Sequence, residues 1–342
     1  MHYRLIGIDL AKNVFQVCAV NEHLKPQLNK RLRRKELIPF LCQQCPTTIV
    51  IESCYSAHYW AREIEKLGHT VHQIPAQHVT PFVRGNKNDS NDAYAIVEAS
   101  QRSFIRYVPN KTLHQQEILA LHRVRERLIK NKTALTNQAR GLLSDVGIIM
   151  PTGAKAWVIG IESVIQDKQQ STRFKRIFER MYHEYKKILS NLKEIEKELK
   201  DFANTSNEGK ILLSIPGVGV ICAPAFSASI DTGQAFNSAR EFAVWMGLTP
   251  KQTASGDNSR MGGITKRGDR YLRKQLIHGA RAILPRCKDK NDALKIWGHQ
   301  ILLRKGYNKA SVAMAHRLAR LIWTLLQNQQ LYQPQLAINI AA

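Results

Sequence analysis

Leu5-Ile6-Gly7-Ile8-Asp9 is an apolar run that stops on a carboxylate, and Thr47-Thr48-Ile49-Val50-Ile51-Glu52 repeats that pattern further along. Short uncharged runs of this kind read as buried strands, so each acid marks a strand end. Val14-Phe15-Gln16-Val17-Cys18-Ala19-Val20 is a second strand, close enough to pair with the first, and Val71-His72-Gln73-Ile74 is a fourth. Helices are expected between and after them: 36–44, 56–67 and 89–101, the last with Asp89 as its N-cap. Strands alternating with helices predict a mixed α/β domain over 1–108.

Downstream of Pro109 the period changes. Leu121, Leu128, Leu135 and Leu142 are spaced by seven, although Arg125 and Lys132 fall on the other seam position. Phe174, Phe178, Met181, Tyr185, Ile188, Leu192, Ile195, Leu199 and Phe202 alternate steps of four and three without a break. That register predicts a coiled-coil connector over 109–205, either an antiparallel hairpin within the chain or an arm between two chains. The intervening stretch, with Pro151, Gly153 and Gly160, reads as a turn region with one short helix. Residues 206–342 are expected to be helical, with Gly-rich basic loops and an amphipathic helix over 310–326.

The chain has 342 residues, 51 Lys plus Arg against 27 Asp plus Glu, and a formal charge of +24. Such an excess calls for a polyanionic partner. At 44% apolar residues the chain can bury real cores, and no apolar run approaches the ~20 residues of a bilayer crossing. With no signal-peptide pattern at its start, the chain is expected in the cytoplasm. Six scattered cysteines do not form a disulfide framework. Cys42 and Cys45 with His69 and His72 can be written as a zinc set, but the helix over 36–44 accounts for both thiols as half-buried residues.

Three constellations bear on chemistry. Asp9, Glu52, Asp89 and Asp92 combine two strand-end acids with a pair on one side of a helix start. Each alone is explained as a cap or an ion-pair partner, but together they form a set that only cations can keep ionised, and two Mg2+ ions suit phosphodiester chemistry. Ile215-Pro216-Gly217-Val218-Gly219 resembles the hairpin of a helix-hairpin-helix element, in which Gly217 and Gly219 expose backbone N–H groups to phosphate; a tight turn between packed helices explains it equally. The stretch 251–290 carries eleven basic groups against three acids, among them Lys251, Arg260, Lys266, Arg267, Arg270 and Arg273, around Ser255-Gly256. On its own, Ser255 is a phosphate ligand, a nucleophile or an ordinary surface serine.

The blocks Gly7 to Phe15, Glu52-Ser53-Cys54 with Ser56 to Arg62, and Lys87-Asn88-Asp89-Ser90-Asn91-Asp92-Ala93 resemble those of the DEDD transposases of insertion-sequence family one-ten, especially the eleven-eleven subgroup and the Piv invertases. Ser255-Gly256, Gly263 to Asp269, Tyr271-Leu272-Arg273 and His278 to Arg281 resemble that family's second domain. The resemblance runs from near residue 5 to near residue 285. It implies an RNase H-type, RuvC-like first domain, Mg2+ held by Asp9, Glu52, Asp89 and Asp92, and Ser255 as the nucleophile of a covalent phosphoserine bond to DNA. It further implies a bridge RNA pairing with donor and target DNA, dimers and tetramers in which one subunit's acids meet another's serine, and work at the bacterial nucleoid. Two positions depart from the family pattern: Tyr55 replaces a usual glycine, and Asp257-Asn258 a usual Gly-Lys. Two other classes remain, a junction-resolving metal nuclease in which water attacks, and a nucleic-acid-binding protein with a dead catalytic domain.

Overall fold

Near-continuous apolar runs make the central strands of a five-stranded sheet in the first segment of the computed structural model, which describes residues 3–83, 89–255, 258–286 and 292–334. The five strands are β1 (Leu5–Leu10), β2 (Val14–Val20), β3 (Pro26–Arg33), β4 (Thr48–Ser53) and β5 (Thr70–Pro75), in the sheet order β3-β2-β1-β4-β5. β2 is antiparallel to β1 and β3, whereas β4 runs parallel to β1 and β5. The strand β3 is additional to the four expected. Six of its eight residues are exposed and three are basic, so it lacks the apolar signature of a core strand and suits a sheet edge.

Helices cover both faces of this sheet. Ile6, Ile8, Leu10, Ile49 and Ile51 pack with α1 (Leu37–Cys42) and α2 (Ala57–Glu65). Leu5, Cys18, Val50 and Ile74 pack on the other face, with α3 (Ala76–Val79) and α4 (Asp89–Ser100). Cys42 and Cys45 are exposed rather than half-buried. His69 accepts from the Thr47 amide at Nδ1 (3.2 Å) and faces the Leu41 carbonyl at Nε2 (3.2 Å), and His72 stacks on Tyr107; no zinc set is needed to explain these four residues.

The chain separates into two units, Met1–His114 and Gln115–Ala342. In that second unit, α5 (Leu113–Ser144) and α7 (Thr172–Thr205) bury their apolar lines in a shared core with α6 (Ala154–Gln166). Arg125 meets Glu196 at 2.7 Å, which pairs the early part of α5 with the late part of α7 and makes the hairpin antiparallel. The α7 register is as read from its sequence. On α5 the buried line runs Leu128, Leu135, Ala139 and Leu143 while Leu142 is exposed, because a helix of 3.6 residues per turn drifts off a strict seven-residue repeat.

The rest of the second unit is α8 (Asn207–Ser214), α9 (Cys222–Ile230), α10 (Ala239–Trp245), the hairpin β6 (Pro250–Ser255) and β7 (Asn258–Ile264), α11 (Arg270–Ile283) and α12 (Ala293–Asn328). The amphipathic helix expected over 310–326 is the later part of α12, which kinks at Gly306, where φ is 73°. No helix among the described residues is long and apolar enough to cross a membrane.

Candidate active site

Asp9 and Glu52 are each one residue past the paired Ile8 and Ile51 of the parallel strands β1 and β4, so they sit at the same level of neighbouring strands. They share the sheet face of Gly7 and Val50, the face that α4 covers. Gly7 permits that cover. A Cβ there would meet Val97 Cγ2 at 2.6 Å and the Ala93 carbonyl oxygen at 2.8 Å. The backbone of α4 therefore lies directly on β1, and Asp89 and Asp92 are in the first turn of that helix, Asp92 next to Ala93. Asp9, Glu52 and Asp92 are half-buried and Asp89 is exposed.

Four carboxylates are hard oxygen donors of the kind that suit Mg2+. Among the described residues, no three His, Cys, Asp or Glu side chains are gathered tightly enough to hold a metal ion. Carboxylates repel one another, and closing them into a ligand set requires a cation. The donor chemistry and the placement of the elements fit the ion; the ligand distances are not those of a closed site. Tyr55, in the turn after β4, is 76% exposed and does not fill the space between the strands.

Three polar residues not singled out in the sequence adjoin this site. Gln16 is the cross-strand partner of Asp9 and is buried. Its Nε2 donates to Asn29 Oδ1 at 2.5 Å, and Asn29 Nδ2 donates to Ser90 Oγ at 2.6 Å and to the Ser90 carbonyl at 3.3 Å. A lone polar residue inside the apolar strand Val14–Val20 was the available signal.

Ser255 ends β6 and lies on a two-stranded ribbon rather than in a loop. The ribbon residues are exposed on both faces, Ile264 at its base excepted, so the usual alternation of apolar and polar residues is missing. Ser255 pairs with Asn258 and Thr253 with Arg260, which places all four on one face. Gly256 and Asp257, and the block 87–88 before α4, lie outside the described residues. Lys251, Arg260, Lys266, Arg267 and Arg270 are exposed.

The base of the ribbon is built by close backbone approach. Gly247 and Gly268 have φ of 68° and 83°, and a Cβ on either would strike the opposite backbone within 2.0 Å. Arg273, expected at the nucleic-acid surface, is a correction: it is only 8% exposed, and its guanidinium donates to the carbonyls of Met246 (3.2 Å) and Arg267 (3.0 Å). It clamps the ribbon base instead of meeting a phosphate. Asp269 caps α11 by accepting from the Tyr271 and Leu272 amides at 2.7 and 2.9 Å.

Gly217 and Gly219 divide in the same way. Gly217 has φ of 81°, and its Cβ position is taken by Ile283 and the Gly279 carbonyl of α11, so it packs. Gly219 is exposed with open space about it, which leaves it able to approach a phosphate. Beyond these, α5 is tied to α11: His122 Nδ1 lies 2.9 Å from Tyr271 Oη, and Lys274 pairs with Glu126. Burial lowers the His122 pKa to about 4 and pushes the Tyr271 hydroxyl up to about 12.

Comparison with known proteins adds to this geometry. A family model described as "Transposase IS116/IS110/IS902 family" matches residues 209–295, and a DEDD transposase model matches residues 6–148. The chain is 38% identical over 337 residues to a probable family 20 transposase of Pseudomonas aeruginosa, covering 98% of this chain and 100% of that one. It is 37% identical over 332 residues to the transposase for insertion sequence element IS1111A of Coxiella burnetii, covering 96% and 91%. Identity is also 37%, over 321 residues, to the transposase for IS1328 of Yersinia enterocolitica, covering 94% and 96%.

Proposed function

This chain belongs to the IS116/IS110/IS902 family of transposases and is a DNA transposase, and from that premise we propose that it breaks and rejoins DNA through a covalent bond to Ser255. Asp9, Glu52, Asp89 and Asp92 hold Mg2+ in this reading, and the first unit is an RNase H-type, RuvC-like catalytic domain. The observation that carries it is the in-register placement of Asp9 and Glu52 on the face where Gly7 admits the acidic first turn of α4. The sheet order, with three strands antiparallel and two added in parallel, supports the fold assignment.

Bound Mg2+ supplies Lewis-acid stabilisation of the phosphoryl and leaving oxygens. Ser255 Oγ forms the new bond to phosphorus as one phosphorus–oxygen bond to a deoxyribose breaks; the hydroxyl gives up its proton and the departing sugar oxygen takes one. One phosphodiester replaces another, so resealing on a second DNA end needs no energy-rich cofactor. The exposed Lys251, Arg260, Lys266, Arg267 and Arg270 fix the backbone of the substrate without reading its sequence. Sequence choice belongs to a bridge RNA from the element's non-coding flank, pairing with donor and target DNA, and the protein works as a dimer or tetramer. A charge of +24 suits two polyanions.

Adduct trapping on radiolabelled junction DNA tests the chemistry. Wild type is expected to form a protein–DNA adduct, and Ser255→Ala and Asp9→Asn to form none. Cleavage by Ser255→Ala at wild-type rate and without adduct would instead identify a nuclease in which water attacks. Recombination between donor and target plasmids should require the flanking RNA; equal recombination without it removes the RNA from the reaction.

A further inference from the structure

We propose that Asn29, backed by Gln16, is a positioning residue that sets the acidic first turn of α4 against the strand-end acids by gripping Ser90. The inference rests on the reading of Asp9, Glu52, Asp89 and Asp92 as a metal site. Helix α4 touches β1 closely where Ala93 and Val97 meet Gly7. The body of α4 is held by Ala93, Ile96 and Val97, buried against the sheet, whereas its first turn, Asp89 to Asp92, is exposed or half-buried and its first amides have no partners within the helix. A second fixed point is supplied by Ser90, which lies between Asp89 and Asp92.

The amide of Asn29 is used at both ends. Its oxygen accepts from Gln16 Nε2 at 2.5 Å, and its nitrogen donates to Ser90 Oγ at 2.6 Å and to the Ser90 carbonyl at 3.3 Å. Gln16 is 9% exposed and stands opposite Asp9 in the β1–β2 pairing. A hydrogen-bonded path thus runs from the strand partner of Asp9 to Ser90, one of the two residues between the helix acids. Its effect is on separation: a displacement of about 1 Å in a supporting shell is enough to spoil a ligand set.

Strand propensity does not explain Asn29, since asparagine is disfavoured in strands. Nor does core packing, because Asn29 is exposed on the edge strand β3. Removing its side chain leaves the sheet core intact, and that separates a positioning role from a structural one.

The test titrates the full-length protein with Mn2+, reading free Mn2+ by electron paramagnetic resonance, alongside thermal unfolding. Wild type is expected to bind, and Asp9→Asn to lose the site. Asn29→Ala and Ser90→Ala are each expected to weaken Mn2+ binding about tenfold, within the range that outer-shell partners of metal ligands typically command. Asn29→Ala removes both bonds to Ser90 and Ser90→Ala only the one to Oγ, so the double variant should be no weaker than Asn29→Ala alone. Ser90→Thr, which keeps the hydroxyl, should recover most of the affinity, and unfolding midpoints should move by less than about 4 °C, the shift that ~1 kcal/mol produces in a small domain. Unchanged Mn2+ affinity in Asn29→Ala, additive losses in the double variant, or a larger fall in midpoint that accompanies the lost affinity would each overturn the proposal. Failure of wild type to bind Mn2+ would overturn the metal-site reading beneath it.

Discussion

Gly7 acts through the side chain it lacks. Adding a methyl group there places carbon 2.6 Å from Val97 Cγ2 and 2.8 Å from the Ala93 carbonyl, and the carbonyl belongs to helix backbone that cannot rotate away. Gly7→Ala is expected to cost about 1–3 kcal/mol through overpacking, and to lower DNA cleavage by about 100-fold as α4 shifts from the strand acids. Urea unfolding and single-turnover cleavage check the two effects separately. His122 predicts a pH dependence. Burial depresses its pKa from 6.5 to about 4, so between those values the unfolded chain binds a proton that the folded chain refuses. Stability therefore falls as pH drops from about 6.5 to 4, by on the order of 3 kcal/mol from this group. His122→Gln should flatten that portion of the profile when urea midpoints at pH 7.5 and 4.5 are compared. Asp9 and Glu52 were legible as acids closing apolar runs, but for Ser255 the proposed role as nucleophile came through resemblance, since a serine beside glycine in a basic stretch is common. Gln16 and Asn29 acquire meaning only from partners 13 and 61 residues away.

Elements were legible where one face is apolar and the other polar. Seven of the nine apolar positions of α7 are buried, with Phe174 and Phe202 half-buried against the same core, and the helix Asp89–Ser100 holds the expected aspartate in its first turn. The strand β3 and the ribbon β6–β7 were missed for a shared reason: most of their residues face water, so neither carries the alternation that identifies a strand. Their stability comes from pairing and from what grips their ends. Arg273→Met removes the donor that satisfies the Met246 and Arg267 carbonyls, and should cost about 1–3 kcal/mol in thermal unfolding while loosening the ribbon. Arg260→Ala, on the exposed Ser255 face, should leave the unfolding midpoint in place and weaken binding to all DNA sequences alike, lowering the salt slope by about 1. Fluorescence anisotropy at several salt concentrations reads that slope.

At the scale of the molecule, the proposed function divides the work: the charge of +24 would hold DNA and the four acids would serve its cleavage. If the protein neutralises about six phosphates, affinity should fall about 1,000-fold between 50 and 200 mM salt. Chelating the divalent metal should abolish cleavage and leave that binding curve unmoved; parallel loss of both would refute the separation. The amino-acid sequence alone determined the α/β character of the first unit, the long amphipathic helices and the excess of positive charge, and it put forward the four acids, because these depend on composition and on periodicities that span a few residues. Only the tertiary structure decided that α5 and α7 close on each other within one chain, that Ser255 stands on a bare ribbon, that Arg273 and Gly217 pack, and that Asn29 grips Ser90. Those outcomes depend on which surfaces exclude water together and which polar groups must then find partners across the chain, and neither is written in local sequence.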